Sequence, residues 1–441
     1  MDFFGREDEI ASLRRIRADS HEWARFTVVT GRRRVGKTEL MKRAFGDGTD
    51  TFVYLLITRQ SERTLCETLQ SEVERQLGTP MLGKARSFAE ILERLLRVAV
   101  TRPVTLVIDE FQEFVRVNPA VFGDVQRLWD AYHRSAKINL VVCGSVNRLM
   151  TKIFFDDSQP LYGRNTGKLS ITPFPVSLLK SVIAEHNASH SRRDLLALWT
   201  LTGGIARYVE LFVDSRALTR KKMLDNVFSL SSSYIDEGRV ILSEEFGKEY
   251  GVYFSILSAI SAGRTSFAEI KNIVGADIGG QLTKLETTYA FISKKQPVFD
   301  KATNKNCLYQ IDDCFVRFWF RFVYKYMHLI EQKKLRLLED VVERDLDAFS
   351  GFALEQYFKA KFLEDGKYTR IGSWWDRKGE NEIDLVCENE FSGALDFYEV
   401  KLDARRYDDT ELRTKVAAFF RKHPEMMRSG YGVHGISLSD M

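Results

Sequence analysis

Two groups of residues in this 441-residue chain have the types and spacing to act on phosphate esters. The first is Gly31-Arg32-Arg33-Arg34-Val35-Gly36-Lys37-Thr38, directly after the apolar run Phe26-Thr27-Val28-Val29-Thr30. A polyphosphate needs many backbone N–H donors at short range, and residues without a side chain let the chain wrap that closely, which Gly31 and Gly36 provide. Lys37 is spaced to reach the β- and γ-phosphates and Thr38 to place its hydroxyl on Mg²⁺, while the helix starting near Lys37 aims its positive end at the anion. The spacing predicts ATP and Mg²⁺ as cofactors, with 31–38 as their cradle.

Hydrolysis needs a second element, and the apolar strand Val104–Ile108 ends in Asp109-Glu110. Asp109 can hold the Mg²⁺ shell and Glu110 can polarise the attacking water. A further apolar run, Ile138–Cys143, leads into Gly144-Ser145-Val146-Asn147. Ser145 is the candidate to sense the γ-phosphate and Asn147 its rival; a helix N-cap is the plainer role for either.

The second group lies near the carboxyl terminus: Glu355 on a helical stretch, Asp384 in Glu382-Ile383-Asp384-Leu385-Val386, and Glu399-Val400-Lys401 at the end of a strand. Adjacent strands would present Asp384 and Glu399 to one point, and alternation puts Glu399 and Lys401 on one face with Val400 turned into the core. Carboxylate oxygens suit Mg²⁺, and a lysine beside the metal can orient or deprotonate a water for phosphodiester hydrolysis. The metal ligands expected across the chain are therefore Thr38, Asp109, Asp384 and Glu399.

The first group resembles the AAA+-like archaeal and bacterial ATPases related to the origin-recognition and STAND groups, over roughly residues 1 to 230. Phe3-Phe4-Gly5-Arg6-Glu7-Asp8-Glu9-Ile10 looks like that group's amino-terminal box, which implies that Gly5 and Arg6 pack near the adenine. Leu161-Tyr162-Gly163-Arg164 looks like the segment carrying an arginine finger, which implies a catalytic Arg164 delivered to a neighbouring subunit in a homo-oligomer. Thr202-Gly203-Gly204-Ile205-Ala206-Arg207-Tyr208 matches the lid signature, with Ala206 where relatives usually carry proline. The order of Glu355, Asp384, Glu399 and Lys401 resembles the PD-(D/E)xK nuclease superfamily. With Ile371-Gly372-Ser373-Trp374-Trp375, residues 351–401 look like the domain of unknown function that often follows this ATPase.

Between these groups the pattern changes. Val252–Ile260 has helical apolar spacing, Ser266–Ile273 makes a second helix, Gln281–Thr288 a third, and Phe291–Lys295 pairs with Cys307–Ile311 as strands around a basic loop. This reads as a winged helix, whose third helix would enter a DNA groove while Lys301 and Lys305 touch phosphate, helped by Lys284, Lys294 and Lys295. The aromatic run Phe315–Tyr326 reads as buried helix, with Arg317, Arg321 and Lys325 along its polar edge. A charged helix, 335–347, connects to the last domain.

The expected architecture is α/β: a P-loop NTPase core with a parallel sheet (1–175), a helical lid (176–245), a winged helix (246–330) and a small α/β nuclease-like domain (331–441). The cysteines, Cys66, Cys143, Cys307, Cys314 and Cys387, have no paired spacing, which argues against a disulfide framework or a zinc site. The seven histidines are dispersed, so a histidine-based hydrolase is not expected. Net charge is +4, from 65 basic and 61 acidic residues, and does not itself call for nucleic acid. No apolar run is long enough to span a bilayer and the first residues lack a signal peptide, so a cytoplasmic location is expected. DNA is the expected partner. The rival expectation is a nucleotide-dependent switch whose later domains bind proteins and cleave nothing.

Overall fold

The structure, a computed structural model, describes residues 3–48, 50–145, 147–246, 250–275, 277–289, 291–300, 307–377, 379–427 and 430–441, with side chains omitted at 147, 148, 241, 244 and 245. Lys301, Lys305 and the Asn147 side chain therefore lie outside the described residues. The described chain forms two compact units, Phe3–Thr172 and Pro173–Met441.

The first unit is built on five parallel strands: β1 (Arg25–Gly31), β2 (Thr51–Leu56), β3 (Val104–Asp109), β4 (Ile138–Gly144) and β5 (Gly167–Ile171), in the order β2-β3-β4-β1-β5. A parallel sheet is covered on both faces, which is why β3 and β4 read as continuous apolar runs and are buried along their whole length. Alternate residues serve opposite faces. Phe26, Val28, Leu106 and Ile108 pack on helices Glu62–Leu77 and Phe88–Thr101, whereas Val29, Val107, Val141 and Cys143 pack on helices Glu7–Asp19 and Lys37–Phe45. Because β4 sits between β1 and β3, the segments that leave the carboxyl ends of these strands are neighbours in space.

The second unit opens with helices Val176–His186, Arg192–Thr202, Ala206–Asp214, Arg220–Val227 and Ser233–Phe246. Gly203 and Gly204 turn the chain with φ of 55° and 77°, and a side chain at Gly204 would stand 2.5 Å from the Phe174 carbonyl. Helices Tyr250–Ser261, Phe267–Val274 and Gly279–Thr287 follow, the second started by a reciprocal Ser266–Glu269 cap. Strands β6 (Ile292–Lys295) and β7 (Leu308–Ile311) then pair antiparallel.

The aromatic run forms helix Cys314–Phe318 and a π-helical turn, Trp319–Tyr324, with Phe315, Phe318, Trp319, Phe320 and Phe322 buried. Arg317 departs from the expected polar edge: its guanidinium lies 3.5 Å from the Phe352 ring centre, and burial pulls its pKa down to about 10. The connecting helix and the helix of Glu355 are one element, Leu335–Glu364, 30 residues long.

The chain ends in a four-stranded sheet of β8 (Arg370–Trp375), β9 (Glu382–Asn389), β10 (Ala394–Lys401) and β11 (Tyr431–Ser437), ordered β11-β10-β9-β8. β8, β9 and β10 are antiparallel, and helix Asp409–Lys422 supplies the crossover that lets β11 run parallel to β10. All five cysteines are buried free thiols. Among the described residues no helix is long and apolar enough to cross a membrane.

Candidate functional site

In the first unit Thr38, Asp109, Glu110 and Ser145 converge beside the phosphate loop. Gly31 needs its bare Cα because a side chain there would meet the Ile171 carbonyl at 2.5 Å. Gly36 turns the loop into helix Lys37–Phe45 at φ 92°, a conformation that favours glycine. Lys37 is buried and arches back over the loop, donating to the Gly31 carbonyl at 2.8 Å and the Arg32 carbonyl at 3.0 Å. Burial lowers its pKa, opposed by the nearby charges of Glu110 and Asp109.

Asp109 is held from three directions. Its Oδ1 accepts from the Glu110 amide at 2.9 Å, and its Oδ2 accepts from Thr38 Oγ1 at 2.9 Å and from Tyr54 Oη at 2.5 Å. Sequence reasoning missed Tyr54. It lies on β2, beside β3 in the sheet, and nothing in its local sequence marks it apart from a strand aromatic. Burial and the Asp109 charge keep the phenol firmly protonated, so it acts as a hydrogen-bond donor.

Glu110 takes a left-handed turn at φ 54° and its carboxylate accepts from Ser145 Oγ at 2.9 Å and from the Gln112 amide. Strand β4, lying between β1 and β3, is what brings Ser145 here. Gln112 is a second residue the sequence reading passed over, although it stands two positions after Glu110. A hydroxyl and a carboxylate oxygen 2.9 Å apart beside the phosphate loop form an oxygen donor set that fits Mg²⁺.

Arg6 sits at φ 68° and donates to the Thr172 carbonyl at 2.5 Å and the Val35 carbonyl at 3.4 Å, so it buttresses the phosphate loop from behind. Gly5 borders a cleft of about 540 Å³ with Phe3, Ile10 and Lys42. Arg32, Arg33 and Arg34 are part-exposed on the loop, with Arg34 at φ 69°. Val35 is buried. Arg164 is tied to its own chain: its guanidinium reaches Asp130 at 3.0 Å and the Pro160 and Tyr162 carbonyls at 2.9 and 3.1 Å.

In the second unit, Asp384 on β9 and Glu399 on β10 lie on paired strands, and Asp384 Oδ2 accepts from the Val400 amide at 2.7 Å. Glu399 is buried, with Lys401 Nζ at 2.6 Å from Oε1. Lys415, on helix Asp409–Lys422, adds a second ammonium at 3.1 and 3.2 Å from the two oxygens of Glu399. The sequence reading missed Lys415, because a lysine at that point of an amphipathic helix looks like solvated surface. Burial and the Glu399 carboxylate push Asp384 up to about 6, and burial and Asp384 push Glu355 up to about 8. These shifts record negative charge crowded at low dielectric, which a cation would relieve. Among the described residues no three His, Cys, Asp or Glu side chains converge tightly enough to hold a metal. Both oxygens of Glu399 are engaged by ammonium groups, Oε1 by Lys401 and Lys415 and Oε2 by Lys415.

Sheet order, phosphate loop and paired acids define a P-loop ATPase core. Comparison with known proteins agrees: residues 3–212 match the family described as an ATPase domain predominantly from Archaea, and residues 319–412 match a family of archaeal and bacterial proteins of unknown function. The chain thus carries that archaeal-type ATPase domain followed by that carboxyl-terminal domain. An uncharacterized Methanocaldococcus jannaschii protein is 29% identical over 410 residues, 90% of this chain and 87% of that protein. In fold, the chain is similar to the Walker-type ATPase of Pyrococcus abyssi (TM-score 0.55, 19% identity, covering 73% of this chain and 96% of that one). It is also similar to the Aeropyrum pernix ORC2 protein, solved in ADPNP and ADP complexes (TM-score 0.53, 15% identity, covering 74% and 94%).

Proposed function

We propose that the protein hydrolyses ATP at the Gly31–Thr38 loop and acts on DNA through its second unit, where Asp384, Glu399 and Lys401 assist the attack of a water on the phosphodiester backbone. The observation that carries the first part is the Thr38–Asp109–Glu110–Ser145 chain of hydrogen bonds across the ends of β1, β3 and β4. Lys37 exchanges its two loop carbonyls for the β- and γ-phosphates. Thr38 and Asp109 hold Mg²⁺, which neutralises phosphate charge when bound. Glu110 polarises the attacking water, and the Ser145 and Gln112 donors orient its carboxylate.

The DNA part rests on the strand–strand pairing of Asp384 with Glu399–Lys401 and on the three helices and β6–β7 hairpin that precede them, which we read as a winged helix. Helix Gly279–Thr287, with Thr283, Lys284 and Thr287 exposed, is its groove-facing element. At the second site Asp384 and Glu399 would be the residues to hold a divalent cation, which would supply charge neutralisation at the phosphate, and Lys401 would orient or deprotonate the water. A second reading, a nucleotide switch whose later domains bind partners without cleaving, draws on Lys415, because an ammonium on both oxygens of Glu399 competes with a metal.

Nicking of supercoiled plasmid with Mg²⁺ or Mn²⁺, with and without ATP, tests the proposal. Cleavage that vanishes in Asp384→Ala is the expected result; no cleavage of several DNA forms turns the reading to the switch.

A further inference from the structure

Helix Asp409–Lys422 is held along its length on the carboxyl-terminal sheet. Leu412, Val416 and Phe419 pack into the core that Trp374, Val386 and Phe397 build there. The turn after β6 docks on the same sheet: the Val298 amide donates to the Ser373 carbonyl at 2.9 Å, covering the open edge of β8. Phe299 packs edge-on against Phe419 with ring centres 6.0 Å apart. The Asp300 carboxylate takes Lys422 Nζ at 2.5 Å and faces His423 Nε2 at 3.0 Å, so the last turn of the helix is tied down as well. A helix packed in this way changes partners through its side chains and not by moving as a whole.

Between Leu412 and Val416 the helix carries Lys415 to β10. Its ammonium stands 3.1 and 3.2 Å from the two oxygens of Glu399, and 2.8 Å from Glu411 Oε1, one turn back on the helix. The two acids differ in their surroundings: the Glu399 side chain is 7% exposed and that of Glu411 63%. Lys401 Nζ meets Glu399 Oε1 at 2.6 Å, so one buried carboxylate faces two ammonium groups. A buried ion pair adds little stability over well-packed apolar residues of similar volume, so stability alone gives no reason for Lys415. A further cation on Glu399 would meet both ammonium groups at short range and low dielectric, where like charges repel strongly. Lys415 already has a second carboxylate within hydrogen-bond distance.

We infer that Lys415 is the resident counter-ion of the second site: it neutralises Glu399 while no metal is bound and turns onto Glu411 when a divalent cation takes its place. The inference rests on the reading above in which Asp384 and Glu399 hold that cation. The exchange leaves Lys415 paired, since its bond to Glu411 is already made, and needs only rotation about the lysine stem. Lys415 thereby sets the divalent-ion concentration at which the site loads, while Lys401 stays beside Glu399 for the water.

The test is Mn²⁺ binding to the full chain without nucleotide, read from the electron paramagnetic resonance of the free ion. The ions lost in Asp384→Asn define the second site. In Lys415→Met, which keeps the stem and removes the charge, that class should bind roughly tenfold to a hundredfold tighter, the gain expected from removing a competing bond to a charged group. Lys415→Gln should act alike, and Lys415→Arg, which restores the charge, should bring the affinity back toward wild type. Cooperative melting reports that each variant is folded. Glu411→Gln should weaken the class where Lys415 is present and leave it unchanged in Lys415→Met, which separates an exchange partner from a general effect of charge. Equal affinity in wild type and the two neutral variants overturns the inference while leaving the metal reading intact. Glu411→Gln acting equally in both backgrounds overturns the exchange onto Glu411. No Asp384-dependent class in any of these proteins overturns the metal reading itself.

Discussion

Asp109 shows how a site residue is tuned by partners that its own motif does not contain. The sequence made Asp109 legible, because an apolar strand ending in two acids after a phosphate loop has few other uses. Tyr54 was not legible, since β2 pairs with β3 only once the chain has folded. Removing the Tyr54 hydroxyl takes one of two donors from Asp109 Oδ2, and a hydrogen bond to a charged group is worth about 1.5–3 kcal/mol. Tyr54→Phe is therefore expected to require roughly tenfold more Mg²⁺ for half-maximal ATP turnover with little change in nucleotide binding; an unchanged Mg²⁺ requirement would show that the contact is only structural. Glu110→Gln keeps the shape and removes the base, so turnover should fall by about 10² to 10⁴ with binding retained, as read by single-turnover kinetics against equilibrium titration. Arg164 belongs to the same scale: a finger for a neighbouring subunit must first leave Asp130.

Among the elements, strands β1, β3, β4, β6, β7, β9 and β10 and the helices of 250–287 were legible because apolar runs, alternation and capping residues are local signals, whereas β2, β5 and β11 were not read from the sequence. The long helix was not, because the charged stretch 335–347 and the half-buried stretch around Glu355 have different compositions yet share one axis. The docked turn was hidden for another reason. Pro297-Val298-Phe299-Asp300 looks like an exposed loop until β8 offers an open edge. The Gly203-Gly204 turn gives a prediction of its own. Ala206 is the first residue of helix Ala206–Asp214, a position that tolerates proline, and Ile205 before it is already extended at φ −68°, ψ 118°. Ala206→Pro should raise stability by about 0.4–1 kcal/mol through the unfolded state; a lowered melting temperature would contradict this reading of the turn. Gly204→Ala should do the reverse, losing about 1–3 kcal/mol, because its φ is 77° and the new carbon meets the Phe174 carbonyl.

At the scale of the molecule, each unit carries its own cluster of acids, and the two clusters differ in partner. In the first, Asp109 and Glu110 are met by hydroxyl and amide donors around a phosphate loop. In the second, Glu355 and Asp384 are pushed up to about 8 and about 6, chiefly by burial. A carboxyl whose folded pKa lies above its unfolded value stabilises the fold while protonated, and that stability is lost as pH rises through the folded value. For Glu355 the window runs from its ordinary value of 4.5 to about 8. In metal-free buffer the stability advantage of Glu355→Gln over wild type should grow across that window and level off above it; an advantage independent of pH would contradict the burial of this charge. The described chain forms two compact units, and the contacts that join the stretches of the second, 173–441, are too distant in sequence to be read from it.

The most direct test of the whole account is steady-state ATP hydrolysis by the full chain with Mg²⁺, with and without duplex DNA, in wild type and Lys37→Ala. The account predicts turnover that needs Mg²⁺, disappears in Lys37→Ala and rises when DNA is added. Turnover that survives Lys37→Ala, or that ignores DNA altogether, would contradict it.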